Sequence, residues 1–188
     1  MRGRPLDEMA VGDAAELTRV ASAGDVAEFV DSIGDHNPIH HDHDYAATTR
    51  FEQPIVPGMW TAGLISAVLG TRLPGPGSIY VSQQITFTRP VYFGDTITAR
   101  VEVVERLVER RRVRLSTVCV NQRGEEVLVG EALLSPPKSD APVLAVVPAR
   151  SRPGIRQRAI QPRTHVRQRS RRPAGRRAGA HVVQPRGL

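Results

Sequence analysis

Several things are scarce in this sequence. One cysteine, Cys119, stands among 188 residues, so no disulfide can form within the chain, and its place in an alternating apolar run suits a buried, inert thiol. That usage fits a reducing cytoplasm, where the protein is expected to reside. No apolar stretch approaches the length of a membrane span, and the start, Met1-Arg2-Gly3-Arg4-Pro5-Leu6-Asp7-Glu8, has no apolar leader. A soluble, unexported protein is therefore expected. Lysine occurs once, at Lys138, while the chain holds 26 Lys and Arg together. Phe, Tyr and Trp are absent beyond Pro137, which excludes a packed core there and removes base stacking from any nucleic-acid role.

What is present divides in two. Residues 1–136 hold 13 basic and 18 acidic residues, a net −5, whereas 137–188 hold 13 basic and 1 acidic, a net +12. The first part is long enough for one domain with a real core. The second is an Arg/Pro-rich tail, expected to be disordered apart from a small apolar island at 143–147. The basic charge belongs to the tail, so a nucleic-acid partner is not expected of the core. For the tail, a basic arm and a by-product of GC-rich coding remain alternative readings.

The core pattern is α+β. Ala14 to Val20 reads as a first strand, and Ser22 or Asp25 can cap a short helix carrying Val26, Phe29, Val30 and Ile33 on one face. Pro38 disfavours helix at Asn37, so this helix should end near Asp35. Asp42 to Thr49 suggests a second short helix, and Pro54 and Pro57 then enforce irregular chain up to Gly58. From Met59 to Leu69 the residues are apolar on every face except Thr61 and Ser66, which predicts a helix buried all round. Alternation follows at Ile79, Val81, Ile85 and Phe87, at Ile97 to Val103, at Val113 to Cys119, and again from Val127. Gly94-Asp95 and Asn121-Gln122-Arg123-Gly124 mark turns. An antiparallel sheet wrapped around a central buried helix is the hot-dog arrangement, and its open edge strand favours a homodimer.

The chemistry concentrates in Asp35-His36-Asn37-Pro38-Ile39-His40. A carboxylate and an imidazole five residues apart on a rigid turn can hold a water and move its protons, or can be no more than a capped turn. Gly58 opens the apolar helix, where an unpaired backbone N–H can serve an oxyanion, or it simply lets two prolines enter a helix. Ser66 is a lone hydroxyl on an apolar helix and needs a partner, either a carbonyl one turn back or a group of the site. His36, His40, His41 and His43 with Asp35, Asp42 and Asp44 invite a metal, but Pro38 breaks the helix that would align His36 with His40. With no Cys ligand and no His-Glu-x-x-His pattern, neither metal nor cofactor is expected. Arg110, Arg112 and Arg114 alternate and would share one strand face, either solvated or holding phosphates of a coenzyme A substrate.

In order and spacing, the hexapeptide, Tyr45-Ala46-Ala47-Thr48-Thr49, Pro54-Ile55-Val56-Pro57-Gly58-Met59, Leu73-Pro74-Gly75, Gly77-Ser78-Ile79-Tyr80 and Phe87 with Gly94-Asp95 resemble the MaoC-like dehydratases, in particular the (R)-specific enoyl-CoA hydratases. The resemblance runs from about residue 10 to about 135 and leaves out the tail. It implies a hot-dog homodimer of fatty-acid metabolism that adds water reversibly to trans-2-enoyl-CoA, or an acyl-carrier-protein thioester, to give the (3R)-3-hydroxyacyl product. It also implies Asp35 and His40 as the catalytic pair, Gly58 as oxyanion donor, and Asn37 and Ser66 as ordering residues. Some relatives carry His before the glycine where this chain has Pro57. An acyl-CoA thioesterase and a non-catalytic acyl-CoA-binding protein are the rival readings. Acyl-length preference would follow from tunnel side chains such as Met59, Trp60 and Leu64.

Overall fold

The computed structural model describes residues 2–139. The expectations for the tail beyond Ser139, the island at 143–147 included, lie outside the described residues. The elements are β1 (Ala14–Val20), α1 (Ala23–Ile33), α2 (His43–Ala47), α3 (Gly58–Thr71), β2 (Ile79–Phe87), β3 (Thr96–Leu107), β4 (Arg112–Val120) and β5 (Glu126–Ser135). The five strands form one sheet in the order β1-β3-β4-β5-β2, with every neighbouring pair antiparallel.

Alternation puts one face of each central strand inward. Ile97, Ala99, Val101 and Val103 of β3 and Val113, Leu115 and Cys119 of β4 are fully buried, and Ala99 lies opposite Cys119 in the register. They pack against α3, whose Ile65, Val68 and Leu69 are equally buried. The expected turns are present: Gly94 and Gly124 both take positive φ, and each closes its turn through a backbone bond of the turn itself, Asp95 N to Tyr92 O at 3.1 Å and Gly124 N to Asn121 O at 3.0 Å. After β5, Pro137 is buried and Ser139 donates to the Asp7 carboxylate at 3.2 Å.

Three expectations are corrected. The central helix is not buried on every side. Trp60, Thr61, Leu64, Ile65, Val68 and Leu69 face the sheet, while Met59, Gly63, Ser66 and Gly70, a stripe at i, i+4, i+7 and i+11, stay exposed. A five-stranded sheet reaches round only one side of a cylinder about 10–12 Å across. Similarly, β2 is not buried, because it is an edge strand with Ile79, Val81 and Phe87 at 64%, 40% and 48% exposure, and a register shift between Tyr80 and Ser82 interrupts its alternation. The arginine stripe is also interrupted: Arg110 sits in the 3-10 turn Val108–Arg110, and the strand begins only at Arg112. Arg114 is already matched by Glu105 at 2.8 Å and Glu131 at 2.6 Å. Among the described residues no helix is long and apolar enough to cross a membrane.

Candidate active site

The motif loop is assembled by caps. Ser22 accepts from Asp25 N at 3.2 Å to start α1. The helix stops at Gly34, in the left-handed region at φ 74°, where Gly34 N and Asp35 N both donate to the Val30 carbonyl at 2.8 and 3.2 Å. Gly34, three residues before the expected influence of Pro38 on Asn37, is thus the terminator. Asn37 then caps the 3-10 turn Pro38–His40, its side chain accepting from Ile39 N at 3.3 Å. These caps carry Asp35 and His40 to opposite ends of one tight corner.

His40 is locked. Its side chain is 10% exposed and its Nδ1 lies 2.7 Å from the Ile55 carbonyl. A carbonyl can only accept, so Nδ1 carries the proton and, in the neutral ring, Nε2 is left with a lone pair. Nε2 faces Asp35 Oδ2 at 3.7 Å, beyond direct hydrogen-bond distance. Two acceptors converging without bonding to each other call for a group that donates to both, and a water molecule has that shape. Its oxygen lone pairs would then face away from the dyad, as a nucleophile requires.

Ile55 joins this corner to α3. Besides holding the His40 ring, it donates its N–H to the Ile39 carbonyl at 3.1 Å, and Val56 N donates to Val91 O at 2.8 Å. Gly58 is three positions beyond Ile55, so its backbone N–H lies within about 10 Å of the His40 anchor. Gly58 is the first residue of α3, and Pro57 supplies no side-chain cap, so the Gly58 N–H is one of the first-turn donors without an intrahelical partner. A Cβ at Gly58 would sit 2.8 Å from the Phe87 ring, so a larger residue here has to displace that ring; the constraint is close approach rather than φ.

Ser66 is not brought to this corner. It lies two turns along α3, about 12 Å from Gly58, exposed, and its hydroxyl has no hydrogen bond to any described residue. His36, His41 and His43 are exposed, and His41 Nε2 lies 3.3 Å from the His36 carbonyl. Two cavities flank Met59. One, of about 320 Å³, touches Gly58, Phe51, Phe87, Arg50 and Arg89. The other, of about 580 Å³, runs along the exposed stripe of α3 past Ser66 to Gln83. Of the side chains expected to set tunnel depth, Met59 lines both cavities, whereas Trp60 and Leu64 are buried in the core. Sequence reasoning missed Ile55, whose role rests on a backbone carbonyl that no side-chain pattern signals; its position between Pro54 and Pro57 was the only hint.

A profile of the MaoC-like domain matches residues 9–125. The chain belongs to the MaoC-like family. Within it, the chain is 48% identical over 134 residues to the 3-hydroxybutyryl-CoA dehydratase of Methylorubrum extorquens, covering 71% of this chain and 85% of that protein. It is 43% identical to the (R)-specific enoyl-CoA hydratase of Aeromonas caviae, covering 68% of this chain and 95% of the relative. Among solved structures, the unliganded R-hydratase PhaJ1 from Pseudomonas aeruginosa superposes with a TM-score of 0.68 at 40% identity, over 77% of this chain and 97% of that one. These likenesses to MaoC-like hydratases place the α+β sheet and its central helix in the hot-dog fold.

Proposed function

We propose that this MaoC-like chain is a hydro-lyase that adds water reversibly to trans-2-enoyl-CoA, giving (3R)-3-hydroxyacyl-CoA. Hydration of a conjugated thioester needs an activated water, a proton for Cα and a stabilised enolate. Asp35 and His40 hold the water, which adds to Cβ; one proton passes to the dyad and the dyad returns a proton to Cα. The Gly58 N–H, at the positive end of α3, carries the enolate oxygen between these steps. Asn37 acts by holding the turn. The observation that carries this reading is the His40 tautomer: with Nδ1 donating to Ile55 O at 2.7 Å, Nε2 is free to take a proton at the point Asp35 shares.

The working unit is a homodimer in the cytoplasm. The exposed edge strand β2, with Ile79, Val81 and Phe87, supports pairing with a second copy, and the single unpaired thiol of Cys119 supports a reducing compartment. Purified protein with crotonyl-CoA tests the reaction. Loss of the enoyl absorbance, with the (3R)-alcohol as product, is expected. Release of free CoA with the enoyl band retained would instead make the chain a thioesterase.

A further inference from the structure

We propose that Tyr80 and Gln83 form a hydrogen-bonded end-stop that limits the acyl chain this groove accepts. The inference rests on the hydratase reading above, because it starts from the thioester carbonyl at Gly58. Phe87 abuts Gly58 beside the smaller cavity, and the larger cavity begins next to this contact, at Met59 on α3 and Ile85 on β2, so distances along both walls are counted from it. Ser66 lies eight residues along α3 from Gly58, about 12 Å at 1.5 Å per residue. Gln83 lies four residues back along β2 from Phe87, about 13 Å at 3.3 Å per residue. Both line the same groove, so its two walls reach their polar ends at similar distances from the Gly58–Phe87 contact.

The residue parity along β2 explains how the stop is made. Phe87, Ile85 and Gln83 follow one another on one strand face, and Val81 would come next. The register breaks between Tyr80 and Ser82. One extra residue in a strand re-aims the side chain beyond it, and it is Tyr80, not Val81, that lines the groove. The Tyr80 hydroxyl donates to Gln83 Oε1 at 2.5 Å. Gln83 Nε2 in turn donates to the buried Thr117 hydroxyl at 3.1 Å and to the Gln84 carbonyl at 2.8 Å. Gln83 is therefore fixed at both ends of its amide, and a longer chain meets a satisfied polar cluster at this end of the groove.

The occupant is an alkyl chain because of what the two cavities contain. Of the residues lining the groove, none is charged, whereas the cavity on the other side of Met59 has Arg50 and Arg89. Guanidinium groups suit the phosphates of a carrier, and a carbon-lined groove suits the acyl tail. At about 1.3 Å per methylene, from 1.5 Å bonds in a zigzag, a groove of this length takes a chain of about ten carbons in all.

The test is a panel from crotonyl-CoA through octenoyl-, dodecenoyl- and hexadecenoyl-CoA on the full-length protein, Gln83→Ala and Tyr80→Phe. Calorimetric binding of butyryl-, octanoyl- and lauroyl-CoA is measured alongside. In the unaltered protein kcat/KM should fall at least about tenfold between octenoyl- and dodecenoyl-CoA. Gln83→Ala should raise the dodecenoyl-to-crotonyl ratio by about tenfold, and Tyr80→Phe, which keeps the ring, by a few-fold. Tyr80→Phe carries the test if Gln83→Ala does not fold. Hexadecenoyl-CoA turned over like crotonyl-CoA, or ratios unchanged in a folded variant, would overturn the end-stop and leave the hydratase reading standing. A length limit in binding without any hydration would support the stop and overturn the hydratase reading. Neither binding nor hydration would overturn both.

Discussion

Replacing Asp35 by Asn removes half of the proposed dyad at the lowest cost to the fold. The Asp35 side chain is 39% exposed and its ionic partner, His40 Nε2, stands 3.7 Å away. Such a pair contributes at most about 1 kcal/mol to stability, so Tm should move by no more than about 5 °C. The chemical effect is of another order. An amide cannot take a proton from water, and a positioned acid or base contributes about 10²–10⁴ in rate. We expect kcat for crotonyl-CoA to fall about 10³-fold, equivalent to about 4 kcal/mol at the transition state, with KM changed only a few-fold. His40→Ala should lose as much activity, and it should also cost about 1–3 kcal/mol of stability because the Ile55 carbonyl loses its donor. The double variant decides the matter. If both groups act on one water, its kcat should lie within about tenfold of the slower single variant, since residues acting as a unit are not additive. The assay is single-turnover loss of the enoyl band, with circular dichroism melts of every variant. Multiplying losses in the double variant, or an Asp35→Asn enzyme within tenfold of the unaltered one, would refute the shared-water argument.

Other perturbations report on the support of the site. Gly58→Ala places a Cβ 2.8 Å from the Phe87 ring and should cost about 1–3 kcal/mol; adding Phe87→Leu should restore part of that in a denaturant-melt cycle, and strict additivity would show that the two do not touch. Thr61 is 1% exposed and its hydroxyl has no partner among the described residues, so Thr61→Val should leave Tm unchanged or raised; a clear drop in Tm would mean the hydroxyl is satisfied. Burial pushes the Cys119 thiol up to about 12 from 9.0. The unfolded chain therefore ionises first, and stability should fall as pH rises from about 9 towards 12, being fully present below 9. Urea melts across that window should show a steeper decline than those of Cys119→Ala, and parallel curves would contradict it.

Much of this protein was legible from local patterns. Ser22, Asn37 and Asp42 announce their caps within three residues of the groups they bind, and two-residue alternation placed the inward faces of β3 and β4 correctly. Both signals are short-range, so the chain states them without help from the fold. The Asp35–His40 pair was also visible as a spacing, and the structure brings it to 3.7 Å. What spacing could not tell was which nitrogen of His40 carries the proton. That depends on the Ile55 carbonyl, fifteen residues away.

The same division holds for the helix and the groove. The composition of α3 required apolar surroundings but not which element supplies them, because Met59, Gly63 and Ser66 are as apolar or as small as the residues facing the sheet. Only the reach of a five-stranded sheet decided that this stripe stays open. Parity along β2 pointed Val81 at the groove, and a single register break exchanged it for Tyr80. The sequence by itself determined most of the elements, their caps and the closeness of Asp35 to His40, since these depend on neighbours in the chain. Tertiary structure decided the histidine tautomer, the open face of the helix and the end of the groove, since each is a contact between segments whose meeting only the whole sheet arranges.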